Sequence, residues 1–261
     1  MSERPILKSP EEIARMRPAC RLTAQAMQVV ERMIAPGVST LEIDQAVEKV
    51  IRQGGGEPAF LGYPSASRGV IDYPASICAS INEEVVHGIP SAKRFLREGD
   101  LVSVDLGVRL DDFYGDMART FCVGAPSRKA EKLLRAGREA LEAAIRLMKP
   151  GVKLSRIGAA VESRAKEDGF EVVRQFVGHG IGRDMHEPPQ VPNFTRRTTL
   201  GDQRLDTGTV LAIEPMINAG VSEVKVLEDG WTVVTVDGKP SVHFEDTVAI
   251  GSEGPLVLTV V

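Results

Sequence analysis

The stretch APGVSTLEIDQAVEKVIRQGG at 35–55 is echoed by KPGVKLSRIGAAVESRAKEDG at 149–169, so that Pro150 answers Pro36 at an offset of 114 residues. Gly37 and Gly151, Val38 and Val152, Ile43 and Ile157, Val47 and Val161, and Glu48 and Glu162 match at the same offset. In each copy a Pro-Gly break ends one helix-like segment and starts the next, since proline cannot continue the first helix and glycine permits the turn. Such a duplication predicts two related halves, about 1–125 and 126–261, in a single domain of 261 residues.

Apolar residues recur at helical spacing over 11–33 (Ile13, Met16, Ala19, Cys20) and 41–53 (Leu41, Ile43, Val47, Val50), and the second half offers 129–148 and 154–168. After each helix pair the period changes. LVSVDLGV, RTFCV, VLAIEPMI, VSEVKVL, WTVVTV and SVHFEDTVAI alternate, with DDFYG, EDG and DGKP as turns. The predicted layout is α+β, with helices covering one face of a largely antiparallel sheet and the other face left open for chemistry.

The Val102, Val104, Leu106 and Val108 face of LVSVDLGV should be core, which puts Asp105 on the other face with Ser103 and Gly107. A hairpin centred on Leu110 and Asp111 would pair Asp105 directly with Asp116. Carboxylates about 5 Å apart repel unless a proton or a cation separates them. Taken alone, the two aspartates read equally well as a strand-edge residue and a turn residue. GHGIGRDMHEPP places His179 and His186 among glycines and prolines, so the segment is no helix and lacks the two-histidine helical zinc pattern. Glycines beside His179 allow close approach of backbone and ligand. Glu214 is held extended by Pro215, and Glu245 sits inside the apolar strand SVHFEDTVAI. A glutamate there is costly unless paired or metal-bound. Four carboxylates and one histidine form a hard-donor set carrying about four negative charges, which two divalent cations neutralise. Two-metal centres of this type activate water for hydrolysis.

ICASINEEVVHGIP, VSVDLGVRLDDFYGDMARTF, VGHGIGRDMHEPPQVPN, LAIEPMIN and DGWTVVTVDGKPSVHFEDTV, in this order, resemble the signature blocks of type I methionine aminopeptidases. The resemblance implies the pita-bread fold, with pseudo-twofold duplicated halves and the metal site on the open face of the sheet. It implies removal of the initiator methionine from nascent proteins when the second residue is small, by attack of a metal-bridged water on the first peptide bond. By the same likeness, Asp105, Asp116, His179, Glu214 and Glu245 are the ligands of two metal ions, either cobalt, manganese, iron or zinc. His87 and His186 are the non-ligand histidines, His186 on the scissile carbonyl and His87 near the peptide nitrogen, and Glu214 also passes protons. Tyr63, Cys78, Met185 and Trp231 fall where the family lines its methionine pocket.

The segment between Tyr63 and Cys78 is longer than the family's short bacterial members lead one to expect, and the offset of 28 positions from His186 to Glu214 leaves no room for the helical insertion of type II enzymes. No cysteine-rich extension precedes the catalytic segment. A prolidase, an X-Pro aminopeptidase or a creatinase is the rival within the fold, and a non-catalytic binder of nascent chains or RNA the rival outside catalysis. The charge of −4 and pI near 5.7 exclude a protein held to nucleic acid by its overall field. Arg196, Arg197 and Arg204 read as a solvated loop, with a ribosome contact as the alternative. No apolar run approaches the roughly 18 residues of a membrane span, and MSERPILKSPEEIARMR is no secretion signal. Cys20, Cys78 and Cys122 lack CxxC spacing, which fits a reducing compartment. The expectation is a cytoplasmic monomer whose own Met1-Ser2 start is a substrate sequence.

Overall fold

Helix α1 spans Pro10–Met33 and α2 Thr40–Gln53 in the computed structural model, which describes residues 4–65, 67, 69–195 and 202–261. Both helices begin with a capping box. The Ser9 and Ser39 hydroxyls accept from the backbone N–H of Glu12 and Glu42, whose carboxylates accept from the serine N–H in return. Each cap satisfies amides that a helix start leaves unpaired, worth about 1 kcal/mol. Helices α3 (Arg128–Ile145) and α4 (Leu154–Glu167) form the second pair. At both ends α4 lies at the sequence offset of the duplication from α2. Its cap position holds Lys153, however, and makes no side-chain cap bond. Helix α3 stops before the expected 148, because the residue ahead of Pro150 is disfavoured in helical geometry and residues 145–148 close in tight turns instead.

The strands are β1 (Glu57–Pro58), β2 (Cys78–Ile81), β3 (Glu84–Val86), β4 (Leu101–Leu110), β5 (Phe113–Cys122), β6 (Val152–Lys153), β7 (Glu171–Val172) and β8 (Gly178–Gly180). After these come β9 (Glu187–Val191), β10 (Arg204–Leu205), β11 (Val210–Ile213), β12 (Met216–Asn218), β13 (Val224–Val226), β14 (Val233–Thr235), β15 (Ser241–His243), β16 (Glu245–Ile250) and β17 (Pro255–Val257). The main sheet runs β1-β4-β5-β16-β11-β8-β9, all antiparallel, with β2 added to β4 and β17 to β16. The halves meet where β5 pairs with β16. Two three-stranded ladders, β7-β12-β15 and β3-β14-β13, flank the site.

Alternation decides which face is core. Val102, Val104, Leu106 and Val108 of β4 pack under Leu22, Met27 and Val30 of α1 and Ile43, Val47 and Ile51 of α2. Leu211, Ile213, Val248 and Ile250 pack under Leu133, Leu141, Ile157 and Val161 of the second helix pair. The helix layers therefore take one face of each half, and the polar strand positions are left on the other.

Two expected strands are broken. VLAIEPMI divides into β11 and β12 at Glu214-Pro215, where proline offers no N–H to the ladder. SVHFEDTVAI divides at Phe244, whose N–H donates to the Pro215 carbonyl at 3.2 Å rather than to a neighbouring strand. The β4–β5 register also corrects the expectation. Asp105 lies opposite Ala118 and Asp116 opposite Gly107, so the aspartates are diagonal neighbours, not a direct pair. The turn is the two-residue Asp111-Asp112, with φ of +50° and +65°. A primed turn matches the strand twist and requires left-handed backbone at both positions, which aspartate tolerates better than most residues. A slip of two residues keeps every side chain on its face, so both aspartates still point the same way.

No helix among the described residues is long and apolar enough to cross a membrane. Arg196 and Arg197 lie outside the described residues, as do Met1 and Ser2. The exposed Arg204 donates to the Gly151 carbonyl at 2.9 Å.

Candidate metal centre

Strand pairing assembles the site in rows. Cys78, Asp105, Ala118 and Glu245 are successive cross-strand partners through β2, β4, β5 and β16, and so share one face. Ala118 is the small residue between two carboxylates. Asp116, two positions from Ala118, is on that face as well, opposite Gly107. Ile213 pairs with Asp246, so Glu214 falls opposite Glu245 where the ladder ends. His179 of β8 pairs with Ala212, and Ala212 pairs with Thr247. The Thr247 hydroxyl accepts from the Asp116 N–H at 3.0 Å and donates to the Asp116 carbonyl at 2.9 Å. Five donors thus converge from both halves.

Asp116, His179 and Glu245 are buried and offer ligand atoms all within 4.8 Å of one another. The His179 ring is oriented by its Nδ1, which donates to the Gly180 carbonyl at 2.9 Å. That bond leaves the Nε2 lone pair facing Asp116 Oδ2 at 3.6 Å and Glu214 Oε1 at 3.7 Å, too far for hydrogen bonds. Asp105 Oδ1 and Glu245 Oε1 are buried with no hydrogen-bond partner among the described residues. Burial, with Asp116 and Glu214 nearby, raises the Asp105 carboxyl well above its ordinary value. Burial and the same carboxylates, together with Asp105 and Asp246, do so for Glu245. Desolvation alone would lower His179, but Asp116 and Glu214 outweigh it and raise it. Carboxylates and an imidazole that face one another in a buried site, and that burial and mutual repulsion push to hold protons, describe a place for a cation. The set of carboxylate oxygens and one imidazole fits a divalent metal.

The donors form the floor of a cavity of about 280 Å³, walled by Phe60, Tyr63, Tyr73, Cys78, Val86, His87, Phe176, Val177, His186 and Trp231. His87 occupies left-handed backbone at φ +61°, a strained conformation that aims its ring past Phe176 and Trp231, at centroid distances of 5.6 and 6.2 Å. Gly88 follows because a Cβ there would sit 2.5 Å from the Ala79 carbonyl oxygen. His186 is exposed at the mouth, its Nδ1 2.7 Å from the Tyr63 hydroxyl and its ring 4.2 Å from that of His179. Desolvation in the cavity, aided by His243, lowers His87 to about 4. Desolvation and neighbouring His179 do the same for His186. Both are neutral at pH 7. Burial pushes the Cys78 thiol well up, so it is a protonated, apolar wall. The segment after Tyr63 is closed by bonds of the Tyr73 N–H to Tyr63 O and the Gly62 N–H to Tyr73 O, and Trp231 Nε1 donates to Ile71 O at 2.9 Å.

Met185 does not line the cavity. It is buried behind the wall, in a cluster with Phe113 and Ile181 that Phe60 and Tyr63 pack against, and a Cβ at Gly107 would meet its methyl at 2.8 Å. The sequence reading missed His243, which is 1% exposed, with its Nε2 making no hydrogen bond among the described residues and lying 3.6 Å from Glu214 Oε2. Its signal was present: Val242 and Phe244 are core residues, so alternation puts His243 on the face of Glu245. Phe60, Tyr73, Val86, Phe176 and Val177 were missed because apolar wall residues look like core in sequence.

Residues 14–252 match the model of metallopeptidase family M24. The chain belongs to that family. Among M24 proteins, methionine aminopeptidase 1 of Bacillus subtilis is 45% identical over 97% of this chain and 98% of its own length. The methionine aminopeptidase of Escherichia coli K12 is 41% identical over 97% of this chain and 93% of its own. The crystal structure of methionine aminopeptidase from Thermotoga maritima superposes with a TM-score of 0.92 at 40% identity, covering 98% of this chain and 99% of that one. A prolidase from Pyrococcus horikoshii shares the fold alone, at 24% identity and a TM-score of 0.76 over 64% of its length. The pita-bread architecture that the family resemblance implied, with which the duplicated sequence agrees, is the one these M24 structures have.

Proposed function

We infer that the chain is a type I methionine aminopeptidase, a metal-dependent hydrolase that removes the initiator methionine from new proteins when the next residue is small. The observation that carries this reading is the convergence of four carboxylates and one imidazole, with Asp105 Oδ1 and Glu245 Oε1 buried and unpartnered among the described residues, on the floor of a cavity walled by aromatic and sulfur side chains. Near-full-length likeness to methionine aminopeptidases supports it, and the prolidase likeness is confined to the fold.

Asp105, Asp116, His179, Glu214 and Glu245 would hold two divalent ions, since four carboxylates beside a neutral imidazole leave one ion's charge insufficient. Cobalt, manganese, iron and zinc all accept this donor set. Bound there, the ions supply a water nucleophile and polarise the substrate carbonyl. The remaining steps belong to the protein. Tyr63, Cys78 and Trp231, with Phe60, surround the methionine side chain, whose thioether suits a mixed sulfur and aromatic wall. With the Tyr63 hydroxyl donating to Nδ1, neutral His186 carries its proton on Nε2 and offers it as a hydrogen bond to the scissile carbonyl oxygen. His87 faces the peptide nitrogen. Glu214, flanked by His179 and His243, takes a proton from the nucleophile and delivers it to the leaving amine. The halves about 1–125 and 126–261 act as one catalytic unit, because Asp105 and Asp116 come from the first and the other three ligands from the second. We place the protein in the cytoplasm as a monomer acting on chains near the ribosome.

The test is hydrolysis of Met-Ala-Ser against X-Pro peptides and creatine, with each metal added to metal-free protein and metal content measured. Cleavage of Met-Ala-Ser alone is expected. Preference for X-Pro substrates, or tight peptide binding without turnover at full metal loading, would overturn the assignment.

A further inference from the structure

Lys8 lies outside the cavity, yet it is only 6% exposed, as is Glu187, the residue that follows His186. Their side chains form an ion pair through Lys8 Nζ and Glu187 Oε2. The ammonium also donates to the Ile6 carbonyl at 2.8 Å. The other carboxylate oxygen, Oε1, accepts from the backbone N–H groups of Arg183 at 2.8 Å and Asp184 at 3.4 Å. Glu187 thus closes the turn 183–187 on itself, and Lys8 ties that turn to the segment ahead of α1. This segment is fixed in its turn, since the Lys8 N–H donates to the Gly208 carbonyl at 2.8 Å and Ser9 caps α1. Gly182 is shaped to the pair, because a Cβ there would lie 2.3 Å from Lys8 Cε and 2.6 Å from Glu187 Oε1.

Burying two charges is unfavourable compared with apolar residues of the same volume, so the pair needs a reason other than stability. The reason lies next door. His186 is an exposed ring at the cavity mouth whose Nδ1 is held, among the described residues, by the Tyr63 hydroxyl. We propose that Lys8 and Glu187 are positioning residues for His186: they fix the backbone of its turn while Tyr63 fixes the ring, so that Nε2 stays on the scissile carbonyl. This rests on the role given to His186 above. A misplacement of about 1 Å costs as much as about 10²-fold in rate.

The experiment is a double-mutant cycle on the metal-loaded enzyme. Lys8→Met and Glu187→Gln should each lower kcat by about tenfold to 10²-fold, with KM and metal content changed less than twofold, and Lys8→Arg should recover most of the loss. In a His186→Ala background the same changes should cost nothing further. If an unpaired buried charge prevents folding, Lys8→Met with Glu187→Gln removes both charges and keeps the acceptor for the Arg183 and Asp184 amides, and the cycle is run with that pair. Equal losses with and without His186, parallel loss of metal, or unchanged kcat in folded variants would each overturn the positioning role. Near-normal turnover of His186→Ala alone would instead remove the reading on which it rests.

Discussion

Asp105 and Glu245 each bury a carboxylate oxygen with no hydrogen-bond partner among the described residues, and both are raised well above the ordinary range by desolvation and by their neighbours. A carboxyl raised in the fold stabilises the metal-free protein only where it is protonated, and that contribution is lost as pH rises above about 4 and through the raised value. A cation reverses the penalty and displaces the protons. The rise in Tm on adding metal to stripped protein should therefore be larger at pH 8 than at pH 5. His87 and His186 run the opposite way, since lowering to about 4 means stability present above 6.5 and lost on acidification, but they act with or without metal and cancel in the difference. A metal-induced shift that is flat or falls with pH would refute the carboxylate assignment. Substitution separates the roles further. Asp116→Ala and Glu245→Ala should lose metal and all measurable activity while keeping the fold. His87→Ala and His186→Ala should keep their metal and lose about 10²-fold or more in kcat, the scale for one transition-state donor; metal loss in His186→Ala would make it a ligand.

At the scale of elements, the β4–β5 hairpin decides where the two aspartates stand. Its turn holds Asp111 and Asp112 in left-handed backbone, and both are exposed, so a β-branched residue there meets strain without gaining any packing. Asp112→Val should lower stability by about 1–2 kcal/mol, read as a lower denaturant midpoint at unchanged slope. A neutral effect would mean that the turn is not the primed type. This hairpin also shows what the sequence could and could not say. Period-two alternation put Asp105 and Asp116 on one face correctly, because parity survives a slip of two residues. Register was misjudged because Asp-Asp is a weak signal for a primed turn beside Asn-Gly. The helix pairs were legible to within a few residues because apolar helical spacing and the Pro-Gly breaks of the duplication are written locally. The cavity wall was not: Met185 was expected in it and lies behind it, while Phe176 and Tyr73 were unremarked, since local pattern tells an apolar wall from a core poorly.

For the whole molecule, the cavity exists only because two halves close on it. Tyr63, Cys78 and His87 come from the first and Phe176, His186 and Trp231 from the second, while the ligands rise between them. A volume of about 280 Å³ is at or below the roughly 300 Å³ lower end for small-molecule pockets. With the methionine seated, its amine toward the carboxylates and its carbonyl at His186, the second substrate residue is pressed between His87, Phe176 and Trp231 at the mouth. His87 sits in strained backbone and Trp231 is tied through Nε1 to the Ile71 carbonyl, so this rim does not yield readily. Gly, Ala, Ser or Thr should pass, and Leu, Lys or Phe should be nearly refused. The clash arises as the carbonyl turns tetrahedral, so it falls on kcat more than on KM. Each extra group in the wrong place is worth about 1–3 kcal/mol, so Met-Ala should exceed Met-Leu by at least about 10²-fold in kcat/KM. Widening the rim with Phe176→Ala should narrow that ratio by admitting Met-Leu, with metal content unchanged. Comparable kcat/KM for Met-Ala and Met-Leu in the unmodified enzyme would place the second residue away from this rim.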